Sequence, residues 1–125
     1  MAVKKILIVD DDLEFSEELK ELLLLSGYEA TVINDSRQAF DTARTLKPDA
    51  IVLDIKMDSM DGFQVLEKLK QFPQTAKISV IAMTGYFTEE EHYRLMSICG
   101  MDACLKKPFN ALDLIARIEF PKPIG

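Results

Sequence analysis

Two hydrophobic periods alternate along this chain. The run Lys5-Ile-Leu-Ile-Val9 is short, continuous and mostly β-branched, which predicts a strand buried on both faces. After it, Phe15, Leu19, Leu22 and Leu23 fall at i, i+4, i+7 and i+8, so a helix is expected to turn these toward a core and to stop at Gly27. Tyr28 to Ile33 reads as a second strand. Asn34, Asp35 and Ser36 then offer caps for a helix that faces Ala39, Phe40, Ala43 and Leu46 inward and closes before Pro48. Ala50 to Leu53 reads as a third strand, and Gly62 opens a helix carrying Phe63, Val65, Leu66 and Leu69 that ends near Pro73. Ile78 to Met83 is the fourth strand. Thr88 caps the next helix, with Glu91 three residues on completing a capping box, and that helix runs to Gly100. Ala103 to Leu105 is a short fifth strand, and Phe109 to Phe120 a last helix stopped by Pro121 and Pro123.

Repeated strand–helix units of this kind predict an α/β domain, a parallel sheet with helices on both faces. The expectation is one domain over residues 1–125, with a core over about 3–120 and residues 121–125 as a tail or the start of a linker. The hydrophobic share, 48%, is enough to build a core. A net charge of −6 argues against a binder of nucleic-acid phosphates, which would present a basic patch. No apolar run approaches the roughly 20 residues that span a bilayer. The N-terminal apolar run is too short for a signal peptide and has no small-residue cleavage site. Cys99 and Cys104 are not spaced as CxxC and read as free thiols of a reducing compartment, so a cytoplasmic location is expected.

The chemistry gathers at the strand ends, where parallel sheets bind their ligands. Asp10, Asp11 and Asp12 follow the first strand, Asp54 the third, Thr84 and Gly85 the fourth, and Lys106, Lys107 and Pro108 the fifth. Two carboxylates at 4 Å repel by about 4 kcal/mol at an effective dielectric of 20. A cluster of three therefore raises a pKa or recruits a cation, and an all-oxygen set suits Mg²⁺. Lys107 would balance a further anion. A metal, a hydroxyl donor and a lysine around one carboxylate make a phosphoryl-transfer site with the carboxylate as nucleophile.

Ile8-Val-Asp-Asp11, Leu53-Asp54 with Met57, Met60 and Gly62, Met83-Thr-Gly85 and Lys107-Pro-Phe109 together resemble the receiver domain of two-component response regulators, over roughly residues 3 to 120. The resemblance implies a flavodoxin-like (βα)5 three-layer sandwich with strand order 2-1-3-4-5. It implies Asp54 as the phospho-acceptor. Asp11 would be a direct ligand of Mg²⁺ (or Mn²⁺), with Asp10 its partner, Asp54 itself and the backbone carbonyl of Lys56 completing the protein's share. Thr84 would hydrogen-bond the aspartyl phosphate, Lys107 would pair with it, and the Lys107–Pro108 peptide would be cis. The implied partners are a histidine kinase or histidine phosphotransfer protein and an unknown downstream effector, reached through the face of the fourth helix, fifth strand and fifth helix. Direct nucleic-acid binding and membrane contact by this chain are not expected, and a monomer or a phosphorylation-linked dimer is. Such a domain catalyses its own phosphorylation and dephosphorylation without being a classical enzyme.

Other polar residues near these motifs have simpler readings. Asp12 suits a helix N-cap or a surface position. Asp58 and Asp61 invite a calcium-loop reading that fails on spacing: counting from Asp54, position three is Lys56, position six Ser59 and position twelve Val65. Asp61 before Gly62 suits a turn. His92, the only histidine, sits among charges on a helix and reads as solvated, as does Lys106. Several positions depart from, or tune, the resembled pattern. Asp58 stands where the family usually has proline, and Cys104 where many members carry a switching Tyr or Phe. Gly85 keeps space for the phosphoryl group. Lys56 and Tyr86 occupy dephosphorylation-tuning places, Tyr86 as a candidate shield against water. At roughly 100° per residue, Leu13 and Leu24 point away from the first helix's core stripe. The resemblance makes Leu13 a candidate contact for a phosphodonor protein. Two rivals are a phosphorylation-independent interaction module on the same fold and a small cofactor binder. The second lacks a phosphate-cradling glycine-rich loop after the first strand, where three aspartates stand instead.

Overall fold

A computed structural model describes residues 4–57, 62–85, 88–99 and 104–120, with the backbone alone at residues 92, 95, 96, 98 and 99. Strands β1 (Lys5–Val9), β2 (Glu29–Ile33), β3 (Ala50–Asp54), β4 (Ser79–Thr84) and β5 (Cys104–Lys106) form a parallel sheet in the order β2-β1-β3-β4-β5. Helices α1 (Leu13–Leu25), α2 (Ala39–Leu46, entered through a 3-10 turn at Ser36–Gln38), α3 (Gly62–Gln71) and α4 (Glu89–Cys99) connect them, and α5 (Ala111–Glu119) follows the last strand.

Alternation along the central strands explains the layers, because successive side chains leave a strand on opposite faces. Ile6 and Ile8 of β1, with Val52, Ile81 and Met83, pack against Leu19 and Leu23 of α1 and Leu114 and Ile118 of α5. Leu7 and Val9, with Ile51, Leu53, Val80 and Ala82, pack against Ala39 and Ala43 of α2 and Phe63, Val65, Leu66 and Leu69 of α3. Both faces of β1 and β3 are thereby covered, the condition under which parallel sheets occur. Every strand runs in the same direction, so all the strand-end residues meet at one edge.

The element boundaries differ from the expected ones in ways that matter. Leu22 is not a core residue: it is 47% exposed, and the inner stripe of α1 is Ser16, Leu19 and Leu23. Burying Ser16 is tolerated because its hydroxyl donates to the Leu13 carbonyl at 3.1 Å and accepts from Asn34 Nδ2 at 3.2 Å. Strand β3 reaches Asp54, and β4 is shifted one residue onward to include Thr84. Helix α5 begins at Ala111 because Asn110 Oδ1 accepts from Leu112 N at 2.8 Å and caps it there. Phe109 therefore stays outside the helix and meets Phe15 of α1 edge-on, with ring centroids 5.8 Å apart. The expected capping box of α4 is present, with Thr88 N donating to Glu91 Oε1 and Glu91 N to Thr88 Oγ1, both at 3.1 Å. Among the described residues no helix is long and apolar enough to cross a membrane.

Candidate functional site

Asp10 leaves the end of β1 at the carboxyl edge of the sheet and is buried. Its backbone N–H donates to the Ile33 carbonyl at 3.1 Å, and its carbonyl accepts from Asn34 Nδ2 at 2.7 Å, so the neighbouring β2 end fixes its main chain. Its side chain is held at both oxygens: Oδ1 accepts from Asp12 N at 2.9 Å and Oδ2 from Lys107 Nζ at 2.7 Å. Asp12 is the N-cap of α1, accepting from Phe15 N at 3.0 Å, as its simpler reading expected. Asp11, between them, is half-buried at the same edge.

Asp54 ends β3, buried beside Met83 of β4, and its Oδ1 accepts from the backbone N–H of Lys56 at 3.1 Å. One oxygen from each of Asp10, Asp11 and Asp54 lies within 4.8 Å of the others, a group able to hold a metal ion. Lys107 Nζ is 3.6 Å from Asp54 Oδ2 as well as bonded to Asp10. Its ammonium also lies 4.2 Å from the centroid of the Phe15 ring, which gives it an apolar floor with a favourable quadrupole. The Lys107–Pro108 peptide is cis, as expected. Lys107 N donates to the Thr84 carbonyl at 2.7 Å, which locks the end of β4 to the turn after β5. Thr84 is buried at that edge, and Lys106, its partner in register, is exposed.

The electrostatics follow from this crowding. Burial, then the Asp10 charge, push the Asp54 carboxyl up from 3.8 to about 7, against the opposing pull of Lys107 and the Lys56 N–H. One ammonium thus offsets part of the charge of three carboxylates. The residual negative charge and the all-oxygen donor set fit a hard divalent cation such as Mg²⁺.

The glycine that opens α3 belongs to this site. A Cβ at Gly62 would stand 2.4 Å from Ile55 Cα and 2.6 Å from the Asp54 carbonyl oxygen, and Gly62 N donates to the Ile55 carbonyl at 3.0 Å. Helix α3 can therefore start directly on the Asp54–Ile55 peptide only with hydrogen as the side chain. At Gly85 the space is open, with nothing within 4 Å of an added Cβ.

Asp10, Asp11, Asp54, Thr84, Lys56 and Lys107 are thus brought to one edge from the ends of four strands. Asp58, Asp61 and Tyr86 lie outside the described residues, as does the side chain of His92. Cys104 is a free, half-buried thiol whose pKa burial pushes up. Four contributors escaped the sequence reading in these roles. Phe15 counted only as core, Asn34 only as a cap, Gly62 as a helix start and a motif position, and Glu91, whose carboxylate meets Lys56 Nζ, only as a capping residue. The position of Asn34 immediately after a strand was the available signal for the second.

Comparison with known proteins agrees with this geometry. The model of the response regulator receiver domain family matches residues 6–119. The transcriptional regulatory protein CpxR of Escherichia coli is 38% identical over 117 residues, covering 94% of this chain and 48% of its own length. The alkaline phosphatase synthesis transcriptional regulatory protein PhoP of Bacillus subtilis is 33% identical, covering 93% of this chain and 47% of its own. The chain therefore spans about half the length of these curated relatives. A CheY-like receiver domain protein from Methanospirillum hungatei superimposes with a TM-score of 0.85 at 30% identity, covering 94% of this chain and 92% of that one. Chemotaxis protein CheY4 of Vibrio cholerae gives 0.85 at 25% identity, with 94% and 98% covered. An acidic edge with an opposing lysine, on a sheet ordered 2-1-3-4-5 and matched by that family's model over nearly its whole length, makes this chain a member of the response regulator receiver domain family.

Proposed function

We propose that the domain is a phosphorylation-dependent switch that takes a phosphoryl group onto Asp54 from a phosphohistidine of a histidine kinase or phosphotransfer protein. The observation that carries this reading is the convergence of Asp10, Asp11, Asp54 and Lys107 at one strand edge. A carboxylate oxygen of Asp54 attacks the phosphorus. The bond from phosphorus to the donor nitrogen breaks, and the imidazole leaves with the electron pair. For this the carboxyl must be ionised, which its surroundings oppose without a further cation.

Asp10, Asp11, Asp54 and the Lys56 carbonyl would hold Mg²⁺. That ion would offset the carboxylate charge and the charge of the transferring group. The chain's own residues do the rest. The Lys56 N–H orients Asp54 Oδ1. Asp10, fixed by the Asp12 N–H and Lys107, presents a preset oxygen. Lys107 needs only a small displacement to meet a phosphoryl oxygen near Asp54, since it already stands 3.6 Å away. Thr84, buried at the end of β4, would lend its hydroxyl to the phosphoryl group. The receiving face for a downstream effector would be α4, β5 and α5, and the compartment the cytoplasm.

Acetyl phosphate with Mg²⁺, followed by intact mass, tests the reading. One added phosphoryl group in the wild type, absent in Asp54→Ala and without Mg²⁺, is expected. No gain in the wild type would leave a phosphorylation-independent docking module instead.

A further inference from the structure

Lys56 reaches three things at once. Its backbone N–H donates to Asp54 Oδ1 at 3.1 Å, and its carbonyl is the proposed metal ligand. Its Nζ lies 2.5 Å from Glu91 Oε2, in the first turn of α4. The Glu91 carboxylate is itself fixed, because its other oxygen accepts the Thr88 N–H of the capping box.

A second tie, one helical turn further along α4, joins that helix to α3. Arg94 Nη2 lies 2.6 Å from Glu67 Oε1 of α3, and its guanidinium stands 4.3 Å from the centroid of the Phe63 ring. Glu91 and Arg94 are three apart and share a face of α4. The segment that leaves Asp54 and the helix that returns after it are thus each tied to α4, at Lys56 on one side and at Phe63 and Glu67 on the other.

Building on the phosphorylation reading above, we infer that Glu91 is a positioning residue for the acceptor site: its ion pair with Lys56 holds the peptide flanking Asp54 and thereby sets how long the aspartyl phosphate lasts. With the tie cut, the Lys56 peptide gains freedom and water reaches the phosphoryl group more often. The pair also makes the coupling reciprocal, since a partner that engages Glu91 on α4 would alter the phosphate lifetime.

Glu91→Gln isolates the pair from the cap, because glutamine serves the capping box equally well. Lys56→Met and the double variant complete a cycle. The chain is labelled with acetyl phosphate and Mg²⁺, the donor is removed, and decay is followed by intact mass. Both single variants are expected to shorten the half-life about two- to fivefold, the range open to an exposed ion pair, with the double variant no shorter than either. Raising salt should shorten the wild-type half-life and leave Glu91→Gln unchanged. A purely structural surface pair would move none of these. Equal half-lives for wild type and Glu91→Gln, or additive effects in the double variant, would overturn the inference while leaving the acceptor role of Asp54 intact. A wild type that takes no phosphoryl group would overturn both.

Discussion

Lys107 Nζ donates to Asp10 Oδ2 at 2.7 Å across 97 residues of sequence, joining the first and last strands of the chain at the carboxyl edge of the sheet. The Asp10 side chain is fully buried and that of Lys107 only 19% exposed. The ammonium lies above the Phe15 ring, and Phe15 is braced by Phe109, so the cation is held by packing as well as by charge. Removing it would strand a buried carboxylate beside a second one.

Lys107→Ala is accordingly expected to lower unfolding free energy by about 1–3 kcal/mol in metal-free buffer, the usual consequence of orphaning one partner of a largely buried pair. Mg²⁺ should recover part of the loss by supplying another cation. Urea unfolding with and without millimolar MgCl2 checks this. A loss unaffected by metal would speak against a shared cation site.

Asp54→Asn should do the opposite. The folded carboxyl is raised from 3.8 to about 7, so between those values the native state holds a proton that the unfolded chain has released. Stability must then fall as pH rises through that window. The asparagine variant escapes this fall. Above about pH 7 it is expected to exceed the metal-free wild type by about 1–2 kcal/mol, discounted for screening by solvent and Lys107, with the advantage fading toward pH 4. Denaturation midpoints of both proteins at several pH values decide it, and a gap that ignores pH would refute the assignment.

Two glycines give a matched pair. Gly62→Ala places a Cβ 2.4 Å from Ile55 Cα, where backbone cannot yield cheaply. A loss of about 2–4 kcal/mol is expected, together with slower labelling by acetyl phosphate. Gly85→Ala meets nothing within 4 Å, and its stability should stay within about 0.5 kcal/mol of wild type. Thermal melts of the two variants side by side provide the comparison.

Leu13 is 64% exposed at the N-terminal end of α1, as its phase on the helix implied. Leu13→Ser should slow transfer from the cognate phosphohistidine protein while leaving acetyl phosphate labelling and the melting temperature near wild type. Equal transfer rates from the protein donor would remove Leu13 from the docking surface.

The strands were legible because hydrophobic runs are local signals that survive without tertiary information, whereas their order, 2-1-3-4-5, was implied only by the family resemblance. Asp10, Asp54 and Lys107 could be grouped from sequence because parallel strands deliver their ends to one edge whatever the packing details. What stayed hidden depends on distances between elements. The inward place of Ser16 in preference to Leu22 is decided by where α1 lies on the sheet and by the Asn34 side chain that satisfies the serine. Phe15 beneath Lys107 and Glu91 beside Lys56 are contacts between residues 92 and 35 positions apart, and no periodicity announces them. The start of α5 at Ala111 turned on one Asn110 cap that the apolar pattern alone overran by two residues.

The hydrogen bond from Gly62 N to the Ile55 carbonyl, 3.0 Å long, pins together the two ends of the segment between them. That base is made of backbone and of a glycine with no side chain to vary. The closure therefore depends on no side chain, and of its two members only Gly62 is barred from gaining one.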